Sequence, residues 1–408
     1  MRTHTNSAVP TVDRRRFLEL TGGSVGAAAL AGCLGGDDEE DEILVGGLQP
    51  YTGPFSEVAQ EFENGFEFAL SGINADGGVL GRELVFDGVD TETSSGEAVS
   101  IGTQMIERDG AVALTGPISS DVGIQIANLA EEQEVPVVFN QVGSHAAIDR
   151  ESRFSYRLGL LPAPTTAAAQ AQFIEANEFD TVRAIIADYA YGRAFETAIE
   201  SEFPDDIDMD TVVAPFGEDD FVPYLRDMPD DLDVLIATSH PAGAMSIFRQ
   251  QRELDVDPEY VLGNSEANPV WNVLGEDVTE GWLSVHQPYP YSSEYRTVAE
   301  EFSEETGDYF GILASLGYVA AELIATAIED AGEADPVAVS EAIRGAELES
   351  LFAEPVQYTE WGELQGKRQV LSSFETGAPD HHADGEFHLE EAFVSEPLDG
   401  FDPNDYDL

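Results

Sequence analysis

The sequence predicts an α/β protein made of two successive units, each a parallel sheet covered by helices. From Ile43 onward, short β-type runs alternate with runs of helical period. After Arg157 the same alternation starts again, and a glycine-rich turn, Gly77, Gly78 and Gly81, stands where the first helix hands over to a strand. In the first unit the expected strands are Ile43 to Leu48, Glu83 to Asp90, Ala111 to Gly116 and Val135 to Asn140. Between them, Phe62, Phe66, Ala69, Leu70 and Ile73 recur at helical spacing, as do Val122, Ile126, Leu129 and Ala130; both sets read as core stripes. In the second unit the strands are Thr181 to Asp188, Asp210 to Phe216, Asp233 to Ser239 and Tyr260 to Ser265. The strongly apolar helix Gly311 to Gly332 carries Glu322 and many small residues, which favours burial between a sheet and other helices over a membrane span.

Charge narrows the function. With 80 Asp and Glu against 18 Lys and Arg, the net charge of −62 repels nucleic acid and anionic membrane surfaces. Lys367 is the single lysine. The composition is 42% hydrophobic and the apolar residues are periodic, so the chain builds cores and is not disordered. Such an acidic surface is tolerable where concentrated salt screens it, the Debye length falling to about 3 Å at 1 M. The pattern resembles proteins of extreme halophiles.

The first 33 residues read as an export signal. Arg14, Arg15 and Arg16 precede a modest apolar stretch, Phe17 to Gly32, that Glu19, Gly22, Gly23 and Gly26 interrupt. It falls short of the roughly 20 apolar residues that span a bilayer. The twin arginines point to the Tat route. Leu30-Ala31-Gly32-Cys33 resembles the lipobox of exported lipoproteins, which implies cleavage before Cys33 and a lipid on its sulfur. This lone cysteine has no intrachain partner for a disulfide. Residues 34–42 are Gly-rich and then acidic, an extended tether.

Gly47 to Asp90 combines a strand, a Thr-Gly-Pro turn, a helix, Ile73-Asn74 and the turn glycines Gly77, Gly78 and Gly81. This stretch resembles the opening of type I periplasmic binding proteins, specifically the leucine/isoleucine/valine branch of ABC-importer receptors. The likeness continues through Gly116 to Val138, Ala187 to Ala194, Ser239 to Asp255 and Pro355 to Gly366. It implies an α/β fold of two doubly wound parallel-sheet lobes, joined by a three-crossing hinge, that close over a small molecule. The crossings are expected near Tyr156 to Pro162, Leu283 to Pro288 and Phe352 to Gln357. Lobe 1 is expected to comprise 43–157 with 287–352, lobe 2 to comprise 158–286 with 353–396, and 397–408 to form a loose tail.

In such folds ligands gather at the carboxyl ends of strands, where helix N-termini offer backbone donors. Thr115 to Asp121 has that layout, and Ser119 and Ser120 add hydroxyls suited to a ligand carboxylate. The resemblance implies further contacts at the Val142 carbonyl, Ser144 and Tyr191. The family's other cleft aromatic falls on His240. Its ammonium-binding acid falls near Glu266, one place from the ungapped match at Ser265. Tyr51 and Phe55 are further candidates for lining. His381, His382 and His388 read as a solvated loop and not as a metal site.

The sequence has no Gly-x-Ser-x-Gly elbow, His-Glu-x-x-His or Walker loop, so no catalysis, cofactor or metal is expected. The expected protein is a monomeric, lipid-anchored extracellular receptor. It would hold an amino acid and deliver it to a membrane ABC permease and its ATPase, with the lipid as its contact with the membrane. The alternatives are a short-chain amide or urea receptor, the ligand-sensing subunit of a signalling system, and an exported hydrolase.

Overall fold

The computed structural model describes residues 42–263, 267–383 and 385–405. The expected export signal, Cys33 and the expected tether up to residue 41 lie outside them, as do Ser265 and Glu266.

The first sheet is built from β1 (Glu42–Gln49), β2 (Glu83–Asp90), β3 (Ala113–Thr115), β4 (Val137–Phe139) and β5 (Ser155–Arg157). Its order is β2-β1-β3-β4-β5 and every pairing is parallel. The helices α1 (Ser56–Ala75), α2 (Ser95–Glu107) and α3 (Ser120–Gln133) make the crossovers. The stripe Phe62, Phe66, Ala69 and Leu70 of α1 enters one core, and Val122, Ile126, Leu129 and Ala130 of α3 enter another. Each is a helix laying its apolar face on β-strands. After α1 the chain reverses through Gly77, Gly78 and Gly81, whose φ angles of +116°, +71° and +74° suit glycine.

The chain then crosses to a second sheet. After α4 (Ala163–Ala176) come β6 (Thr181–Asp188), α5 (Ala190–Glu202), β7 (Asp208–Pro215), the single turn α6 (Val222–Leu225) and β8 (Val234–Thr238). They are followed by α7 (Pro241–Glu253), β9 (Tyr260–Gly263), α8 (Ala267–Leu274) and β10 (Trp282–His286). The order β7-β6-β8-β9-β10 repeats that of the first sheet, again with parallel pairing. Both sheets thus reverse their winding at the second and third strands of that order, β1/β3 and β6/β8, which are the sites where doubly wound folds take ligands.

The chain returns to the first sheet with α9 (Ser293–Thr306), α10 (Ile312–Ala331) and α11 (Pro336–Arg344). Helix α10 is long and apolar enough to cross a membrane, but 78% of its apolar window is buried, packed chiefly on α1. It is a core helix, as its small residues suggest. The last strands, β11 (Val370–Thr376) and β12 (Phe387–Val394), extend the second sheet antiparallel from β10.

Two features differ from the sequence-based expectation. The segment 353–364, expected in lobe 2, places Val356, Tyr358 and Leu364 in the core over the first sheet. The residues after 396 are also held: Leu398 pairs with Lys367, Phe401 is buried, its carbonyl accepts from Trp361 Nε1 at 2.9 Å, and Arg150 pairs with Asp402. Acidic turn-rich sequence suggests a loose end; the apolar side chains of Leu398 and Phe401 supply the anchorage instead.

Candidate functional site

The carboxyl ends of the two sheets face each other across a cavity of about 50 Å3. One water needs roughly 10–15 Å3 of such space, so there is room for a solute of several heavy atoms. Ser120 and Gln141 supply polar side chains from the first sheet's side, and Thr166, Gln170, Tyr191 and Thr238 from the second's. Phe55, Ile118, Leu160, Leu262 and Val285 form an apolar wall. Among the described lining residues none is charged. Four helices present their first turns here, through Ser120 of α3, Thr166 of α4, Tyr191 of α5 and Pro241 of α7. The amide groups of a first turn lack intrahelical acceptors and carry the positive end of the dipole, so the cavity suits a carboxylate or other oxygen-rich group.

The two sides touch around this cavity. Asp121 Oδ2, at the start of α3, accepts the amide of Ala190, at the start of α5, at 3.2 Å. Phe55 lies against Tyr189 and Phe216, with ring centroids 6.3 and 6.1 Å apart. At Gly143 a Cβ atom would stand 2.5 Å from both Tyr191 and Leu160, so this close approach requires glycine.

The structure brings some expected residues together and uses others differently. Ser120 and Tyr191 both line the cavity, from opposite sides. Burial pushes the Tyr191 phenol well above its ordinary range, so it stays protonated and able to donate. Phe55 lines the cavity, whereas Tyr51 turns away and donates to Glu63. Ser119 is the N-cap of α3, yet its hydroxyl makes no capping bond.

Val142 and Ser144 are engaged elsewhere. The Val142 carbonyl, expected to meet the ligand, accepts from Arg157 Nη1. The Ser144 carbonyl accepts from Arg157 Nη2 at 3.1 Å, its amide donates to Ser120 Oγ at 3.1 Å, and its hydroxyl accepts from the Ala146 amide. Neither residue lines the cavity. His240 is the N-cap of α7: its Nδ1 accepts the Gly243 amide at 3.2 Å, and its ring meets Phe216 edge-on. It is not among the lining residues, although its near neighbours Thr238 and Pro241 are. Glu266 and Ser265 lie outside the described residues; the last residue before that gap, Gly263, lines the cavity.

What sequence reasoning missed is a buried ion pair beneath the site. Arg157 Nε and Nη2 donate to the two carboxylate oxygens of Glu363 at 2.6 and 2.8 Å, and neither side chain has any exposure. The guanidinium therefore ties the end of β5 to the segment 353–364 and, through two carbonyls, to the 141–144 loop. Gln141, Thr166, Gln170 and Thr238 were also missed as lining residues, since none belongs to the motifs that carry the resemblance.

The model of the periplasmic binding protein family matches residues 42–376. The chain belongs to that family. The Leu/Ile/Val-binding protein BraC3 of Rhizobium johnstonii is 26% identical over 355 residues, covering 82% of this chain and 92% of the relative. The solved leucine binding protein LivK of Thermotoga maritima superposes with a TM-score of 0.73 at 22% identity, covering 89% of this chain and all of that one. The branched-chain amino acid transporter substrate-binding protein LivJ of Streptococcus pneumoniae, solved with isoleucine, gives 0.72 at 15% identity over 86% of this chain and 99% of that one. Its sequence relatives thus include a Leu/Ile/Val-binding protein, and its fold is that of the solved LivK and LivJ proteins. The chain is a solute-binding receptor of an exported family and not an enzyme.

Proposed function

We propose that the receptor captures an amino acid of the branched-chain class in the cavity between the sheets and delivers it to a membrane ABC permease and its ATPase. The observation that carries this reading is a cavity between the two sheets, polar but uncharged in its described lining, on which four helix N-termini converge. The ligand carboxylate lies at the start of α3, with Ser120 Oγ and the free amides of the first turn. Tyr191 covers it from the other side and the apolar wall takes the side chain. Each hydrogen bond to a charged ligand group is worth about 1.5–3 kcal/mol, and micromolar capture requires about 8 kcal/mol, so a handful suffices.

Lobe 1 in this reading comprises 43–157 with 287–364 and the docked end after 396; lobe 2 comprises 158–286 with the strands β11 and β12. The ligand touches both lobes only when they are closed. Binding therefore shifts the population toward closure, and the permease recognises the closed outline. Glu266 is the candidate partner for the ligand ammonium. The receptor is exported by the Tat route, held outside the cell as a monomer by a lipid on Cys33, and works in concentrated salt, which its charge of −62 suits.

The uncharged lining equally favours a second reading, a receptor for short-chain amides or urea. Calorimetric titration with branched-chain amino acids, simple amides and urea in multimolar salt separates the two. Saturable heat at one site per chain with leucine, isoleucine or valine supports the first reading. Response to the amides alone replaces it with the second.

A further inference from the structure

Gln170 stands on α4, one helical turn after Thr166, so both side chains leave the same face of the helix toward the cavity. The residue is only 4% exposed. Its Oε1 is buried and has no hydrogen-bond partner among the described residues. Thr166, by contrast, is engaged: its hydroxyl donates to the Leu161 carbonyl and is hydrogen-bonded with Tyr191. Buried side-chain amides are normally satisfied, because an unpaired acceptor away from water costs stability. An orphan carbonyl oxygen at a ligand cavity marks the place where a donor arrives from outside the protein.

Helix N-termini and hydroxyls supply donors for an anionic or oxygen-rich group, and Gln170 Oε1 supplies an acceptor on the lobe 2 wall of the same cavity. A ligand satisfying both presents an acceptor group at one point and an N–H donor at another. We propose that Gln170 is a ligand-contacting, specificity-determining residue whose Oε1 accepts a hydrogen bond from the ligand's nitrogen, the ammonium of an amino acid. This rests on the amino-acid reading above. It gives a neutral amide on α4 a share, beside Glu266, in selection against carboxylic acids that lack the nitrogen, since an ammonium has a proton for each.

The test is calorimetric titration of wild type, Gln170→Leu and Gln170→Glu with L-leucine and with 4-methylpentanoate, the same skeleton without the amine, in multimolar salt. Wild type is expected to prefer leucine. Gln170→Leu is expected to lose between about tenfold and a hundredfold in leucine affinity while leaving its weaker affinity for 4-methylpentanoate unchanged. Gln170→Glu keeps an acceptor and should hold leucine within a few-fold of wild type. The ligand-free melting temperature of Gln170→Leu should stay equal to or above that of wild type, since an unsatisfied polar group has been removed. Unchanged leucine affinity in Gln170→Leu, or an equal loss for both compounds, overturns the role of Gln170 and leaves the receptor reading standing. A wild type that binds none of leucine, isoleucine and valine overturns the amino-acid reading and this assignment with it.

Discussion

The Arg157–Glu363 pair offers the sharpest test of how the site is supported. Glu363→Leu removes both acceptors of a bidentate contact, 2.6 and 2.8 Å long, between side chains with no exposure. The guanidinium would stay buried with only the carbonyls of Val142 and Ser144 for company. Breaking a buried pair by removing one partner costs about 3–5 kcal/mol, most of it the uncompensated charge left behind. Removing both partners, as Arg157→Met with Glu363→Leu, eliminates that charge and orphans only the Val142 carbonyl, at about 1–3 kcal/mol, because the Ser144 carbonyl keeps the Ala147 amide at 3.3 Å. The double variant should therefore lose no more stability than Glu363→Leu alone, and the two single losses should sum to well above the double loss. Urea unfolding at constant high salt measures all four proteins. Ligand titration adds a second readout, because the 141–144 loop that Arg157 holds carries Gln141 into the cavity. A Glu363→Leu loss below about 1 kcal/mol, or strictly additive single losses, would refute the reasoning.

Other consequences follow from the same geometry. Gly143→Ala sets a methyl 2.5 Å from Tyr191 and Leu160, wedging the closed lobes apart; ligand affinity should fall at least about tenfold, and solution scattering should show the liganded protein failing to contract. Unimpaired binding would mean that the two sides need not meet there. His286, fully buried at the second crossing, bonds the Pro288 carbonyl and Ser372 Oγ, both at 2.8 Å, and burial pushes its pKa from 6.5 down to about 4. Between those values the unfolded chain binds the proton and the folded one does not, so this group's contribution is intact above pH 6.5 and is lost as pH falls toward 4. About 3 kcal/mol of acid-induced loss is expected in wild type and absent in His286→Gln, measured by urea unfolding at each pH. Parallel pH curves for the two proteins would contradict it.

The elements were legible in the sequence where the signal is local. Strand runs such as Thr181 to Asp188, the α3 stripe and the turn at Gly77 and Gly78 each obey a period or a backbone preference that neighbouring residues display together. Ser120 and Tyr191 line the cavity for a reason that is equally local: each begins a helix directly after a parallel strand, at the edge where such sheets take ligands. Arg157 and Glu363 were not, because they meet across 206 residues and neither lies in a periodic or turn motif. Gln170 looks like any polar residue of an Ala-rich helix until the opposite lobe shows which face is enclosed. Resemblance transfers positions such as the Val142 carbonyl and the His240 ring, whereas their partners within the protein, the Arg157 guanidinium and the Gly243 amide, are settled by packing and have no local signature. The docking of Phe401 likewise depends on Trp361 offering its indole N–H, a long-range pairing with no local signature.

Whether one solute is gripped between the facing strand ends is tested most directly by titrating wild type and the double variant Ser120→Ala, Tyr191→Ala with the best-binding branched-chain amino acid in multimolar salt. Wild type should bind at one site per chain, and the variant, deprived of one contact from each lobe, should lose at least about a hundredfold in affinity. A folded variant that keeps full affinity would place the ligand somewhere other than this cavity.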